Sequence, residues 1–349
     1  MKLTQIYRPI EKELQSVERA LFSAFSESKY ASVLELGEYI LKSPGKRIRP
    51  ALVILSAKAA LSDKAEVFQF EKLIRVAAAV ELIHIASLIH DDVIDKADIR
   101  HNRPTINAGW RDDVSVIFGD YVYSKAIELI GECSDPDLIL CISEAIKTMS
   151  EGELVQVCQR GDVGLSKDGY LEMVGKKTAS FFAACCRLGT IVAEKNSQVQ
   201  EALREYGMNY GIAFQIIDDC RDIVGEENEL GKHPGQDVMM REVTLPLMVL
   251  LDTCEQAERA DLVKMLESGT GQVDCGRIRR SFLNSTAAHK TRETALHYVG
   301  CAKRHLSFLD DSEYKLSLNS LADCVIQELP IAAKAEKKTS ERIRTHAEF

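Results

Sequence analysis

The sequence predicts an all-α protein, and three observations carry the prediction. Its 8 prolines leave long stretches with none, between Ala51 and Arg103, between Asp137 and His233, and between Leu247 and Leu329. These stretches are rich in Ala, Leu, Glu, Lys and Ile and lack the dense turn punctuation that successive strands need. Within them apolar residues recur at three- and four-residue intervals, as in Leu73, Val76, Ala77, Val80 and Ile83, which is the spacing of one helix face. Several segments are apolar on more than one face, the pattern of helices inside a large bundle.

Along the chain, the opening Met-Lys-Leu-Thr-Gln-Ile-Tyr-Arg-Pro carries charges and a proline where a secretory segment needs an apolar run, so it reads as the start of a mature chain. Pro44 and Pro50 then bracket the basic loop Gly45-Lys46-Arg47-Ile48-Arg49. The helical run through Leu73 and Ile83 ends on an acidic cluster, Asp91 to Asp95, with Arg100 and Pro104 shortly beyond it. A second proline-free span holds Lys176-Lys177-Thr178 and another acidic cluster, Asp218 to Asp222. Pro234 and Pro246 stand beside Gly231-Lys232 and Asp237. Loops held by rigid residues beside charge clusters are where sites are built. With no short-period repeat and no low-complexity linker, one domain is expected over residues 1–325. Residues 326–349 form a polar, partly basic tail, read as a solvated end or a frayed helix.

Charge and cysteine usage narrow the function. The 53 acidic residues exceed the 44 basic ones, for a net charge of −9, and nucleic-acid-binding surfaces are usually basic. No nucleic acid is therefore expected as a partner. The 10 cysteines are scattered and form no C-x-x-C, which fits a reduced, cytoplasmic protein better than a disulfide framework. No run of about 18 uninterrupted apolar residues is present, so at most peripheral membrane contact is expected.

The chemistry centres on two copies of Asp-Asp-x-x-Asp, at Asp91, Asp92, Asp95 and at Asp218, Asp219, Asp222. Chance alone would place one such pattern in about one chain in ten of this composition, and here two follow matching apolar helical runs. On a helix, residues i and i+4 share a face, so Asp91 projects with Asp95 and Asp218 with Asp222. If the two helices face each other, the carboxylates make an oxygen-rich cavity suited to hard cations. Mg2+ binds such sites through one or two carboxylates plus phosphate and water oxygens, which implies a phosphorylated ligand. Lys46, Arg47, Arg49, Arg100, Lys176-Lys177-Thr178 and Lys232 supply candidate cations for it. His84, about two turns before Asp91, lies within reach of the same cavity.

These residues carry a family resemblance. Gly45-Lys46-Arg47-Ile48-Arg49-Pro50, Glu81-Leu82-Ile83-His84, Leu88 through Asp95, Lys177-Thr178-Ala179, Phe214 through Asp219, and Gly231-Lys232 through Thr244-Leu245-Pro246 strongly resemble the trans-prenyltransferases, the polyprenyl diphosphate synthases. The motifs run in that family's order over residues 30 to 325. The resemblance implies antiparallel helices around a central cavity and the head-to-tail condensation of isopentenyl diphosphate with an allylic diphosphate. It implies Mg2+ held by Asp91, Asp95 and Asp218, with Asp92, Asp219 and Asp222 completing the motifs. Arg100, Lys177, Thr178, Gln215 and Lys232 are implied beside the allylic diphosphate, and Lys46, Arg49 and His84 at isopentenyl diphosphate. A homodimer is the implied assembly.

Two positions depart from the family pattern. Where Arg-Arg-Gly is common, this chain has Arg100-His101-Asn102, so His101 is the candidate at the second position of an isopentenyl diphosphate contact. Where Gly-Lys often precedes the Thr-Leu-Pro run, Arg241-Glu242 stand, and Arg241 is the expected substitute cation. Product length is read from the residues before the first triplet. Ser87 and Ala86 are small where short-chain synthases place an aromatic plug, and Ile83 lies one turn deeper, so a long all-trans product is expected. Two other readings remain open: a catalytic-like or regulatory subunit of a heteromeric synthase, and, with less in its favour, a terpene cyclase.

Overall fold

The computed structural model describes residues 2–43, 45–61, 69–193, 196–225, 234–267 and 274–328. Lys232, the tail from residue 329 onward and Pro44 lie outside them. The described residues form α1 (Leu3–Ile6), α2 (Glu11–Ser26), α3 (Ala31–Leu41), α4 (Ile48–Ala60), α5 (Phe70–Ile94), a hairpin of β1 (Ile99–Arg100) and β2 (Arg103–Pro104), then α6 (Ile106–Trp110), α7 (Asp112–Gly131), α8 (Pro136–Cys158) and α9 (Lys167–Val174). A π-helical turn at Gly175–Ala179 leads into α10 (Ser180–Val192) and α11 (Ser197–Val224). The remainder is α12 (Gln236–Met239), α13 (Leu245–Thr253), α14 (Gln256–Glu267), α15 (Cys275–Asn284), α16 (Ala287–His305) and α17 (Glu313–Gln327). The expected all-α class is therefore what folds, and the predicted domain limit at residue 325 falls within the last turn of α17.

Local chemistry sets the helix boundaries. Asp135 caps α8 by accepting from the Asp137 N–H, with Pro136 in the first turn, and Asn196 caps α11 by accepting from the Val199 N–H. Ser166 and Ser312 do the same for α9 and α17. Each cap satisfies a donor that the helix itself leaves free. The hairpin is an element that the sequence pattern does not announce. Its two turn residues, His101 and Asn102, have φ of 52° and 59°, and two consecutive left-handed residues make the turn whose twist matches a β-hairpin. Asn tolerates that conformation without glycine.

The core is laid down by α4, α5, α10 and α11. Helix α5 has the length and mean hydropathy of a membrane span, but 72% of its most apolar window is buried inside the bundle. It packs along α7 and is flanked by α2 and α4; α10 lies between α4 and α11. Tyr206, Tyr210, Phe182 and Phe214 form a run of ring contacts between α10 and α11, with neighbouring centroids 5.2 to 6.3 Å apart. The C-terminal helix closes the bundle on its N-terminal end, because Ser317 Oγ donates to the Ile6 carbonyl at 2.9 Å and Tyr206 OH to that of Leu318 at 2.7 Å. All ten cysteines are free thiols.

Candidate active site

Both aspartate triplets stand at the C-terminal ends of long helices. Asp91 and Asp92 lie in the last turn of α5 and Asp95 caps it, its N–H bonded to the Asp91 carbonyl at 2.8 Å. Asp218, Asp219 and Asp222 occupy the last two turns of α11. A helix C-terminus carries partial negative charge and disfavours carboxylates. The last turn of α5 has no basic residue to offset this, and that of α11 has Arg221. Cations from elsewhere must balance both ends.

Within each triplet the carboxylates face different surroundings. Asp92 is buried and accepts from Arg100 Nε at 2.7 Å. Asp219 is buried and accepts from Tyr170 OH at 2.5 Å and Gln215 Nε2 at 2.7 Å. Asp222 accepts from the Asp237 N–H at 3.1 Å. These three are tied into protein. Asp95 instead meets Arg160 at 2.5 Å, and the half-exposed Asp218 has Arg221 at 3.9 Å. Burial holds the carboxyls of Asp91 and Asp219 above the usual range; Glu153 and Asp95 add to the effect at Asp91, against Lys177 and Arg100. The two triplets share one electrostatic environment through the buried Glu242, which feels Lys177 and Asp95 and itself acts on Asp219.

The π-helical turn places the next group. It inserts an extra residue between α9 and α10, a feature that often marks functional sites. Lys177 on this turn pairs with Glu153 of α8 at 2.6 Å. Its neighbour Thr178 donates to Gln215 Oε1 at 2.8 Å, and Gln215 passes the chain on to Asp219. Lys177 is largely buried, yet Glu153, Asp91 and Glu242 hold its ammonium strongly protonated against the effect of burial. Arg100 is kept charged in the same way, by Asp92 first and then by Asp91 and Asp95.

A recess opens beside α5, bordered by Arg47, Glu81, His84, Asp92, Arg100 and His101. The hairpin forms its outer wall. Tyr39 OH donates to the Pro104 carbonyl at 2.7 Å, and the Arg103 guanidinium lies 4.2 Å from the Tyr39 ring centre. Burial pushes His84 well below its usual pKa, with Arg49, Arg100, His101 and Arg47 adding to it, so the imidazole is neutral amid positive potential. Arg49 points into the bundle over the Phe182 ring at 4.6 Å, and its buried Nε–H has no hydrogen-bond partner among the described residues. A buried donor left unmet costs about 1–3 kcal/mol, which an arriving anion would offset.

The expected residues are thus brought together with some redistribution. Arg100, Lys177, Thr178 and Gln215 gather around the triplets, while His84 and His101 border the recess with Arg49 behind it. Lys46 pairs with Glu328 at 2.5 Å, and Glu328 also accepts from Arg221 at 3.1 Å. Arg47, left without a specific role, binds Glu18 at 2.5 Å and Glu81 at 2.8 Å. Arg241 does not replace the missing family cation: it donates to the Leu266 carbonyl at 3.1 Å and turns away from the carboxylates. Arg160, Glu153, Tyr170 and Arg103 were not anticipated. A signal for the α8 group did exist, since Glu153, Gln156 and Arg160 recur at spacings of three and four at the end of an apolar helix.

The donor set suits Mg2+. Among the described residues no three acidic, histidine or cysteine side chains converge closely enough to cage an ion alone. Mg2+ does not need such a cage, because it takes one or two carboxylates and completes its shell with phosphate and water oxygens.

An all-α bundle with aspartate-rich ends on α5 and α11 and the cations Arg100 and Lys177 beside the first of them belongs to the class of the prenyltransferases. The chain belongs to the polyprenyl synthetase family, whose model matches residues 31–278. It is 30% identical over 323 residues to the short chain isoprenyl diphosphate synthase of Methanothermobacter thermautotrophicus, covering 91% of this chain and 97% of that protein. It is 36% identical over 251 residues to heptaprenyl diphosphate synthase component 2 of Geobacillus stearothermophilus, covering 72% of this chain and 76% of that protein. Among solved structures it is similar to the polyprenyl synthase of Caulobacter crescentus complexed with calcium and isoprenyl diphosphate, with TM-score 0.87 and 30% identity over 93% of this chain and 97% of that one. The protein is a prenyltransferase.

Proposed function

We propose that this prenyltransferase is Mg2+-dependent and extends an allylic diphosphate with isopentenyl diphosphate to a long all-trans polyprenyl diphosphate. The observation that carries this reading is that the π-helical turn reaches both acidic helix ends, Lys177 acting with Arg100 on Asp91 and Thr178 joining Asp219 through Gln215. Asp91, Asp95 and Asp218 would hold the metal, while Asp92, Asp219 and Asp222 fix the helix ends through Arg100, Tyr170, Gln215 and the Asp237 N–H. Bound Mg2+ would supply positive charge to a leaving diphosphate. Arg100 and Lys177 add fixed charge from a partly desolvated position, where such groups act most strongly on developing negative charge. Lys232 is assigned to the same diphosphate by resemblance. Arg49, His84, Lys46 and His101 would receive isopentenyl diphosphate; the unmet Arg49 Nε–H is the strongest support for an anion there.

Product length rests on α5. Ser87 is half-buried and donates to the His84 carbonyl at 2.9 Å, and below it Ala86 and Ile83 are buried without an aromatic plug. The relatives' names span short-chain and heptaprenyl products, so this wall carries the argument. Purified protein incubated with Mg2+, labelled isopentenyl diphosphate and farnesyl or geranylgeranyl diphosphate should yield products extended by several isoprene units. Products that stop after one addition refute the long-chain reading, and a cyclised hydrocarbon would establish a cyclase.

For assembly we favour a homodimer through α7 and α8, where Ile117, Leu140 and Leu154 are 69%, 67% and 66% exposed. Large apolar side chains exposed on helices that pack together fit an association surface. The Geobacillus relative named as one component supports a second reading, in which another chain covers this face. Its mark is incorporation that appears only when that chain is added. The ten free thiols favour a reducing, cytoplasmic setting.

A further inference from the structure

We infer that Arg160 supplies the cation that this chain lacks at residue 242, holding the allylic diphosphate from the α8 side with Glu242 as its positioning arm. The inference rests on the metal–diphosphate site proposed above and deepens it. The family commonly has lysine where Glu242 stands, and a carboxylate there would by itself repel a diphosphate.

The geometry shows how the chain accommodates the reversal. Arg160 Nη2 reaches Asp95 Oδ1 at 2.5 Å and Glu242 Oε1 at 3.0 Å, and Arg160 Nε reaches the same Glu242 oxygen at 3.2 Å. The other Glu242 oxygen accepts from Gln156. A backbone contact joins the two segments, because the Gly161 N–H donates to the Arg241 carbonyl at 2.7 Å, and the Glu242 N–H is held within its own segment by the Asp237 carbonyl at 2.8 Å. The Arg241 side chain packs against Gly161, where a Cβ would lie 2.5 Å from its Nη2, and so braces the segment from behind. Glu242 is therefore fixed from two sides, and it fixes the guanidinium against Asp95.

This arrangement does more than a surface ion pair. The Arg160 side chain is 19% exposed and that of Glu242 10%, so both are substantially desolvated. A guanidinium carries donors beyond the Nε and Nη2 that Glu242 and Asp95 engage, and here it borders the triplet proposed to hold the metal. A diphosphate drawn to Asp95 by a cation meets Arg160 at once. Lys177 is close enough to Glu242 for each to shift the other's titration, so a second cation stands near the replaced position.

Calorimetric titration with inorganic pyrophosphate in excess Mg2+ tests the assignment. Arg160→Gln should weaken binding about ten- to a hundredfold, the loss of one charge-assisted contact, with KM rising for the allylic substrate and not for isopentenyl diphosphate. Removing Arg160 also unmasks Glu242, so the deciding variant is the double substitution Arg160→Gln, Glu242→Gln. Binding that stays weak supports direct contact, whereas binding restored to wild type means that Arg160 only masks the carboxylate and overturns the assignment. Arg160→Lys keeps the charge without the fork and should bind between wild type and Arg160→Gln; it serves if the glutamine variant does not fold. Wild-type protein that takes up no pyrophosphate refutes the metal–diphosphate site and this assignment with it. Wild-type affinity in folded Arg160→Gln refutes the assignment alone.

Discussion

Gly152→Ala is expected to disable the allylic site while leaving the bundle folded. Gly152 lies on α8 directly beneath the π-helical turn, and a Cβ there would sit 2.3 Å from the Lys177 nitrogen and 2.6 Å from its Cα. The obstructing atoms are backbone, so rotating a side chain cannot relieve the clash. Reaching ordinary van der Waals contact requires the turn to move by about 1 Å, and a misplacement of that size in a substrate-positioning group costs about 100-fold in rate. Lys177 and Thr178 would move together, stretching the 2.6 Å pair with Glu153 and the 2.8 Å bond to Gln215. Steady-state kinetics with the allylic substrate varied, alongside thermal melting, checks this. Overpacking should cost about 1–3 kcal/mol, or about 2–12 °C at the scale of larger domains. A folded variant whose kcat/KM stays within about threefold of wild type would show that the turn's exact position does not matter to the reaction.

Tyr170→Phe removes one of two side-chain donors to the buried Asp219 carboxylate. Bonds to charged groups contribute about 1.5–3 kcal/mol, so the denaturation midpoint should fall accordingly, and an unchanged midpoint would show that the bond is not used. Ala86→Phe places a ring where the wall of α5 is small and buried and should shorten the product; an unaltered product ladder on reversed-phase chromatography defeats the chain-length argument. Ile117→Glu combined with Leu140→Glu puts charge on the exposed faces of α7 and α8 and should give a monomer in sedimentation velocity if these faces pair, whereas an intact dimer would place the interface elsewhere. Chelating divalent cations should abolish pyrophosphate uptake in calorimetry and leave the far-ultraviolet dichroism unchanged, since no step of the helical packing runs through the metal; uptake that survives chelation would argue for binding by the cations alone.

Each feature was legible in the sequence to the extent that short-range pattern determines it. Helices α5 and α11 were legible because proline-free runs with apolar residues three and four apart are local patterns. The aspartate triplets were legible because i, i+4 spacing fixes a shared face without knowledge of the rest of the fold. The hairpin at Ile99–Pro104 escaped because two left-handed residues written as His101-Asn102 lack the glycine that normally signals such a turn. The π-helical turn escaped because one inserted residue leaves the composition of Gly175–Ala179 unchanged. Arg241 and Arg160 show the limit most clearly. By sequence, Arg241 was the expected substitute, adjacent to the altered position. In the folded chain its neighbour Glu242 takes a partner 82 residues away, while Arg241 is spent on backbone carbonyls. Adjacency along a chain says little about side-chain direction outside a regular helix, and Arg241 has a φ of 61°, a left-handed residue that breaks any simple periodicity between 241 and 242. A charge reversal in a site built from several helices must therefore be judged by what faces it across the cavity. Here that is Arg160, and the site keeps a fixed cation at the position where the sequence alone had lost one.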